Sequence, residues 1–266
     1  MNGARRLLLL LLLVGLLAGC GVKTAYNNAD WLAMRWINDR VSLTAEQERA
    51  VEAALDQHLA WHCASELPAY ADFLQEVKSD IARNRITPAT LDAHGNRAGE
   101  FAQRLLARAR PSLIDLLASL NDQQVDELIE SFEERNREMA EEAERSREDL
   151  QRERVLGMEK GMRRFTGRLT REQRERLQSW AAELEPTASL ALQHRLEWQE
   201  RFAEALAIRH QRPAFEAAMT ELLNADNSDS RALDTRRSAN RARTLQTFVE
   251  LHRISPERQV KRLQSR

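Results

Sequence analysis

From Asn28 onward, apolar residues recur at intervals of three and four almost throughout the chain, the spacing that places them on one face of an α-helix. Helix starts are easy to read. Leu43-Thr44-Ala45-Glu46-Gln47 sets Thr44 as N-cap and Gln47 at the third helical position, a capping box, and Leu169-Thr170-Arg171-Glu172-Gln173 repeats it. Leu120-Asn121-Asp122-Gln123-Gln124 is a variant capped by Asn121. Thr87-Pro88 and Ser255-Pro256 offer two further starts, with proline at the first helical position. Stops or kinks are expected before Pro68, Pro111, Pro186 and Pro213, and a loop over 224–230. From Asp122 to about Phe165 nothing interrupts the pattern, which predicts one helix of about 65 Å. Val125, Leu128, Ile129 and Phe132 stripe its first turns, but between Glu133 and Asp149 only Met139, Ala140 and Ala143 are apolar. That middle is expected to be exposed or bridging, laced by the pairs Glu133–Arg137, Glu141–Arg145 and Glu148–Arg152. The fold class expected is all-α, an elongated helical bundle with one long charged helix.

The start of the chain obeys a different pattern. Arg5 and Arg6 precede a twelve-residue apolar run, Leu7 to Ala18. A membrane-spanning helix needs about 20 apolar residues, so this run suits a cleaved signal segment over residues 1–19. Its end, Leu17-Ala18-Gly19-Cys20, resembles the lipobox of bacterial lipoproteins. That resemblance implies lipid attachment at Cys20, acylation of the new amino terminus, and tethering to a membrane through several acyl chains. Gly21, where enteric inner-membrane lipoproteins carry Asp, favours the periplasmic face of the outer membrane. Residues 20–28 then form a linker of at most about 28 Å, and residues 29–266 a single helical domain held close to the membrane.

Composition agrees with helix and narrows the chemistry. Aromatic residues are 5% of the chain and charged residues 30%, while only five of the nine glycines lie beyond residue 21. Removing residues 1–19 leaves 247 residues with a net charge of −3, a near balance that points away from nucleic acid. Beyond Cys20 only Cys63 remains, so no disulfide can form within the mature chain; Cys63 is expected to be buried and inert, or a reactive leftover. Charge is segregated: residues 121–154 carry a net −7, and the basic C-terminal region 231–266 a net +7. The basic region could reach for an anionic partner such as lipid head groups or cell-wall polymer. The near cancellation favours fold-back onto the acidic helix.

Candidate chemistry is sparse. His58, His62 and Glu66 follow one another at four-residue spacing beside Cys63, a set that zinc would accept on one helix face. The metalloprotease pattern needs Glu directly after the first His, where Leu59 stands. Both histidines also continue the stripe of Val51, Ala54 and Leu55, so the plainer expectation is semi-buried imidazoles hydrogen-bonded to neighbouring helices. His94, His194, His210 and His252 are scattered. There is no G-x-S-x-G and no phosphate-binding glycine loop; no cofactor, metal or catalytic residue is expected, and the chain reads as a non-enzyme. Leu190, His194, Trp198, Phe202 and Leu206 read as a core stripe, and Trp31 and Trp36 as core packing of a short first helix rather than membrane contacts.

Two resemblances bear on function. Tyr26-Asn27-Asn28-Ala29-Asp30-Trp31-Leu32, with Leu43 to Gln47, Glu66-Leu67-Pro68-Ala69-Tyr70 and Leu169 to Trp180, resembles an uncharacterised family of bacterial lipoproteins. The paired Leu-Thr-x-x-Gln segments at Leu43 and Leu169 are similar to those of small helical periplasmic chaperones and stress sensors, which bind unfolded clients without ATP. The sequence therefore leads to a membrane-anchored envelope lipoprotein acting as a non-catalytic interaction or scaffold protein, its partner an envelope protein, lipid head group or cell-wall component. The alternatives are client binding in a groove between the capping-box helices, and a metal-dependent enzyme using His58, His62 and Glu66.

Overall fold

The computed structural model describes residues 26, 28–224 and 230–264. The signal segment, Cys20 and most of the expected loop at 224–230 lie outside them. The described residues are α-helical with short connections: α1 Ala29–Asn38, α2 Ala45–Trp61, a π-turn His62–Glu66, α3 Leu67–Ala82, α4 Pro88–Ser119, α5 Asp122–Glu130 and α6 Glu133–Glu144. There follow α7 Arg147–Thr166, α8 Arg171–Glu183, α9 Ala188–Ala207, α10 Arg212–Leu223, α11 Arg231–Arg253 and α12 Glu257–Gln264. Among the described residues no helix is long and apolar enough to cross a membrane.

The capping boxes at Thr44, Asn121 and Thr170 form as the sequence predicts, each side-chain oxygen accepting from the backbone N–H of its glutamine. The single long helix does not form. Ser131 Oγ donates to the Leu128 carbonyl at 2.6 Å and a turn at Ser131–Phe132 drops the Phe132 ring against the core. Ser146 then caps a new helix, accepting from Asp149 N–H at 3.1 Å. Residues 122–166 are therefore three helices. The ion pairs formed there include Arg135–Glu138, Asp149–Arg152, and Arg145–Glu153 across the second break at 2.7 Å, rather than the three i,i+4 pairs the spacing offers.

The longest α-helix is instead α4, 32 residues, which runs through Pro111 without ending. Pro68 also fails to stop the chain, which is helical from Ala45 to Ala82. Proline cannot donate to the helical ladder, and the wider π-turn at 62–66 opens that ladder just before it. Pro213 lies in the first turn of α10, and Pro186 in the connection after α8, as the breaker reading predicts.

Two apolar cores result. The larger gathers Val41, Ile114, Leu117, Phe202, Phe215 and Met219, so that α4, α9 and α10 close over the residues following α1. The second gathers Leu169, Leu177, Trp180 and Leu251 where α8 meets α11. Tyr70, Phe73 and Phe101 join α3 to α4 in a smaller cluster. Trp198, Phe202 and Leu206 face the first core, as their stripe predicts. Trp31 and Trp36 do not pack in a core: they are 55% and 59% exposed, because the side of α1 that meets the core is that of Ile37. Cys63 is exposed as well; the π-turn carries Cys63 to Ser65 outward while Glu66 turns inward.

Candidate functional site

The glutamines of the capping boxes serve a second purpose. Gln47 and Gln124 exchange side-chain hydrogen bonds, each Nε2 donating to the other's Oε1 at 3.1 and 2.7 Å, tying the start of α2 to that of α5. Each also reaches the carbonyl two residues before its partner's cap: Gln47 that of Ser119 at 2.9 Å, Gln124 that of Ser42 at 2.7 Å. Gln173 and Gln259 repeat the exchange at 2.8 and 3.2 Å, with Gln259 donating to the Arg168 carbonyl at 2.9 Å and Gln173 to Ser255 Oγ at 3.1 Å. All four amides are buried, Gln173 completely. An unpaired buried amide is costly, so these locks fix which helix starts meet. Each Leu-Thr-x-x-Gln segment is thus occupied by another helix start, that of α5 for Leu43 to Gln47 and that of α12 for Leu169 to Gln173, one lock lying beside each main core.

The His58, His62 and Glu66 set is likewise engaged, residue by residue. Glu66 is buried and takes both oxygens to Arg104, at 3.0 and 2.8 Å, a two-bond pair that also raises the arginine's pKa. His58 Nε2 meets Ser112 Oγ at 3.1 Å where α2 crosses α4. His62 lies between two tyrosines: Nδ1 is 3.1 Å from the Tyr26 hydroxyl and Nε2 is 3.3 Å from that of Tyr70. Burial lowers the pKa of both imidazoles, and burial raises those of Tyr26 and Tyr70. A neutral imidazole has one donor and one acceptor nitrogen, and two protonated tyrosines satisfy both. Ligating a metal there would mean releasing a tyrosine and breaking the Glu66–Arg104 pair. Among the described residues no group of three or more His, Cys, Asp or Glu is placed to hold a metal ion.

The basic region folds back: α12 packs against α7, and ion pairs tie α11 to acids outside 121–154. Arg241 donates to Asp92 and Asn96 on α4, at 2.7 and 2.9 Å, its guanidinium lying against Gly95. Arg243 and Arg236 pair with Glu185. Leu233, Leu245, Val249 and Leu251 are buried beneath these contacts. Apolar burial sets the docking partner here, and charge follows it.

An open groove lies between α6 and α9. It measures about 510 Å³ and is lined by Ala140, Ala143, Leu192 and Leu196, with Glu144, Glu197 and Glu200 among its walls. Leu196 is 46% exposed. Residues 140 and 143, the small apolar positions of the charged middle, thus supply its floor. The sequence periodicity marks the buried stripe of α9 but not this second one, whose local signal is the four-residue spacing of Leu192 and Leu196 beside two glutamates. No curated protein matches the chain, and no solved structure does. Residues 39–235, about three quarters of the chain, match the model of a family of unknown function, DUF6279, and the protein belongs to that family.

Proposed function

We propose that this protein is a lipid-tethered binding protein of the bacterial envelope that acts without catalysis, through the groove between α6 and α9. The observation that carries the reading is an open apolar floor walled by Glu144, Glu197 and Glu200, with no cation among its lining residues. Such a surface suits a protein segment that offers an apolar anchor flanked by Lys or Arg, with the apolar contact giving affinity and the charges giving orientation. The tether through Cys20 supports the reading by confining the groove to one membrane's surface.

A photo-crosslinking residue at position 196 in intact cells tests it. One dominant protein adduct is expected, and the double charge reversal Glu197→Lys with Glu200→Lys should reduce it at least tenfold. An adduct indifferent to that reversal, or none, would remove the groove from the account. Suppressed aggregation of many unrelated unfolded clients would instead favour the chaperone alternative. A catalytic role would show as an activity lost in His62→Gln and Glu66→Gln.

A further inference from the structure

We infer that α1 lies in the lipid interface, with the face carrying Trp31, Leu32, Arg35 and Trp36 as a second, protein-borne membrane contact. This rests on the tether reading above and deepens it. At about 100° per residue, Trp31, Arg35, Leu32 and Trp36 share one side of α1, and Ile37, which meets the first core, points roughly opposite. Six large apolar side chains are markedly exposed among the described residues, and three of them (Trp31, Leu32 and Trp36) stand on this ten-residue helix. None of its residues is buried.

The occupant follows from position and chemistry. Tyr26 is fixed to the body by its hydroxyl contact with His62 at 3.1 Å. Cys20 precedes it by six residues, so a lipid there stays within about 20 Å of the Tyr26 backbone. α1 begins three residues later. A membrane that holds the lipid is therefore within reach of the tryptophans. Indole rings with guanidinium partners suit that boundary, where one end meets acyl chains and the other meets phosphate. The Arg35 guanidinium lies 5.5 Å from the Trp31 ring centre and that of Arg40 lies 3.9 Å from the Trp36 ring centre. Three half-exposed side chains offer on the order of 300 Å², short of the ~800 Å² per partner of a stable protein interface, which argues against a second copy as the occupant. Asp30 and Asp39 offset Arg35 and Arg40, so the contact is apolar in origin and insensitive to salt.

The test uses the full lipidated protein in vesicles of phosphatidylethanolamine and phosphatidylglycerol with acyl chains brominated near the head group. Tryptophan quenching should be strong in the wild type and fall by more than half in Trp31→Phe with Trp36→Phe. It should be unchanged in Trp61→Phe and persist in 1 M salt. The mass of the amino-terminal peptide separates the two claims. A lipidated protein whose quenching is the same in wild type and double variant overturns the membrane role of α1 and leaves the tether standing. Quenching that depends on Trp31 and Trp36 in a protein without lipid supports α1 and overturns the tether. Crosslinks between α1 segments of two copies, in place of quenching, would overturn the lipid surface as occupant.

Discussion

Gln173 and Leu196 sit in one helical chain and are treated in opposite ways. Gln173, a polar residue in a recognisable motif, is fully buried and bonded to Thr170, Ser255 and Gln259. Leu196, an apolar residue in no motif, is 46% exposed in a groove walled by acids. The contrast extends to whole regions. Leu-Thr-x-x-Gln, the feature that most resembles a functional signature, is spent on joining helix starts, whereas α1 and the groove between α6 and α9, which carry no signature, keep apolar surface in contact with solvent. A buried amide that pairs reciprocally holds architecture, and an exposed leucine beside charges is available for recognition.

The two sides of this contrast break differently. The largest effect should come from deleting residues 231–266, which removes one lock partner and four buried side chains, Leu233, Leu245, Val249 and Leu251. At roughly 1.5–3 kcal/mol each, that is roughly 6–12 kcal/mol, comparable with a whole domain's stability, so the second core should not fold. Circular dichroism of the truncated chain would show it. High salt should lower the melting temperature of the intact protein only slightly, because the docking is mainly apolar. A steep salt dependence would return the docking to electrostatics.

Single glutamines come next. Gln173→Ala leaves the Gln259 amide, the Thr170 N–H and Ser255 Oγ short of a partner and should cost about 3 kcal/mol in denaturant unfolding. A Gln173/Gln259 double-mutant cycle should show coupling of about 1–2 kcal/mol. Additive losses would mean that the amides do not act as a pair. Gln47→Ala should cost less, about 2 kcal/mol, since Gln47 is the most exposed of the four. Losing a cap is smaller again: Thr170→Ala should cost about 1 kcal/mol, and Ser146→Ala somewhat less on its more exposed helix.

Acidification should act in two steps. Burial holds the imidazoles of His58, His62 and His252 below their ordinary value, with Arg108 adding to the effect at His58 and Glu66 opposing it at His62. The unfolded chain then binds more protons than the folded one near pH 6.5, so stability falls as pH drops from about 7.5 to 5.5. The Arg209 hydrogen bond at Asp122, the Ser42 N–H at Glu127 and the Ser146 hydroxyl at Asp149 hold those carboxyls below their usual range. Their contribution persists above about pH 4 and is lost as pH falls through their folded values. Melting temperature against pH should show both declines, and His62→Gln should flatten the first. A curve level between pH 7.5 and 5.5 would contradict the imidazole account.

How much of this was legible varies with the range of the interaction. Thr44, Asn121 and Thr170 announced their caps because a capping box closes over four residues. The glutamine pairs span 77 and 86 residues and leave no local trace; Gln259 is the third residue of α12, but Pro256 stands before that helix where a capping box needs a side-chain acceptor. The break at Ser146 was written in Ser146-x-x-Asp149, but the charged run around it has no apolar periodicity to interrupt. Pro68 and Pro111 predict stops or kinks because local sterics disfavour them in helices, yet the chain stays helical through both, with a π-turn just before Pro68. The tryptophans of α1 carry the pattern of core residues; only the packing of Ile37 shows that the core lies on the other side. At His58, His62 and Glu66 the spacing was visible, but the partners Tyr26, Tyr70, Ser112 and Arg104 lie on other turns and helices.

The most direct test of the division between holding residues and recognising residues pairs two readouts on the same variants: melting temperature of the purified protein, and adduct yield from the crosslinker at position 196 in cells. Glu197→Lys with Glu200→Lys should leave melting within about 2 °C of wild type, as expected for exposed surface changes, while abolishing the adduct. Gln47→Ala should lower melting by several degrees and leave the adduct in proportion to the protein that remains folded. Unchanged adduct in the charge reversal, or a selective loss of adduct in folded Gln47→Ala protein, would contradict the account and move recognition from the open groove to the glutamine motif.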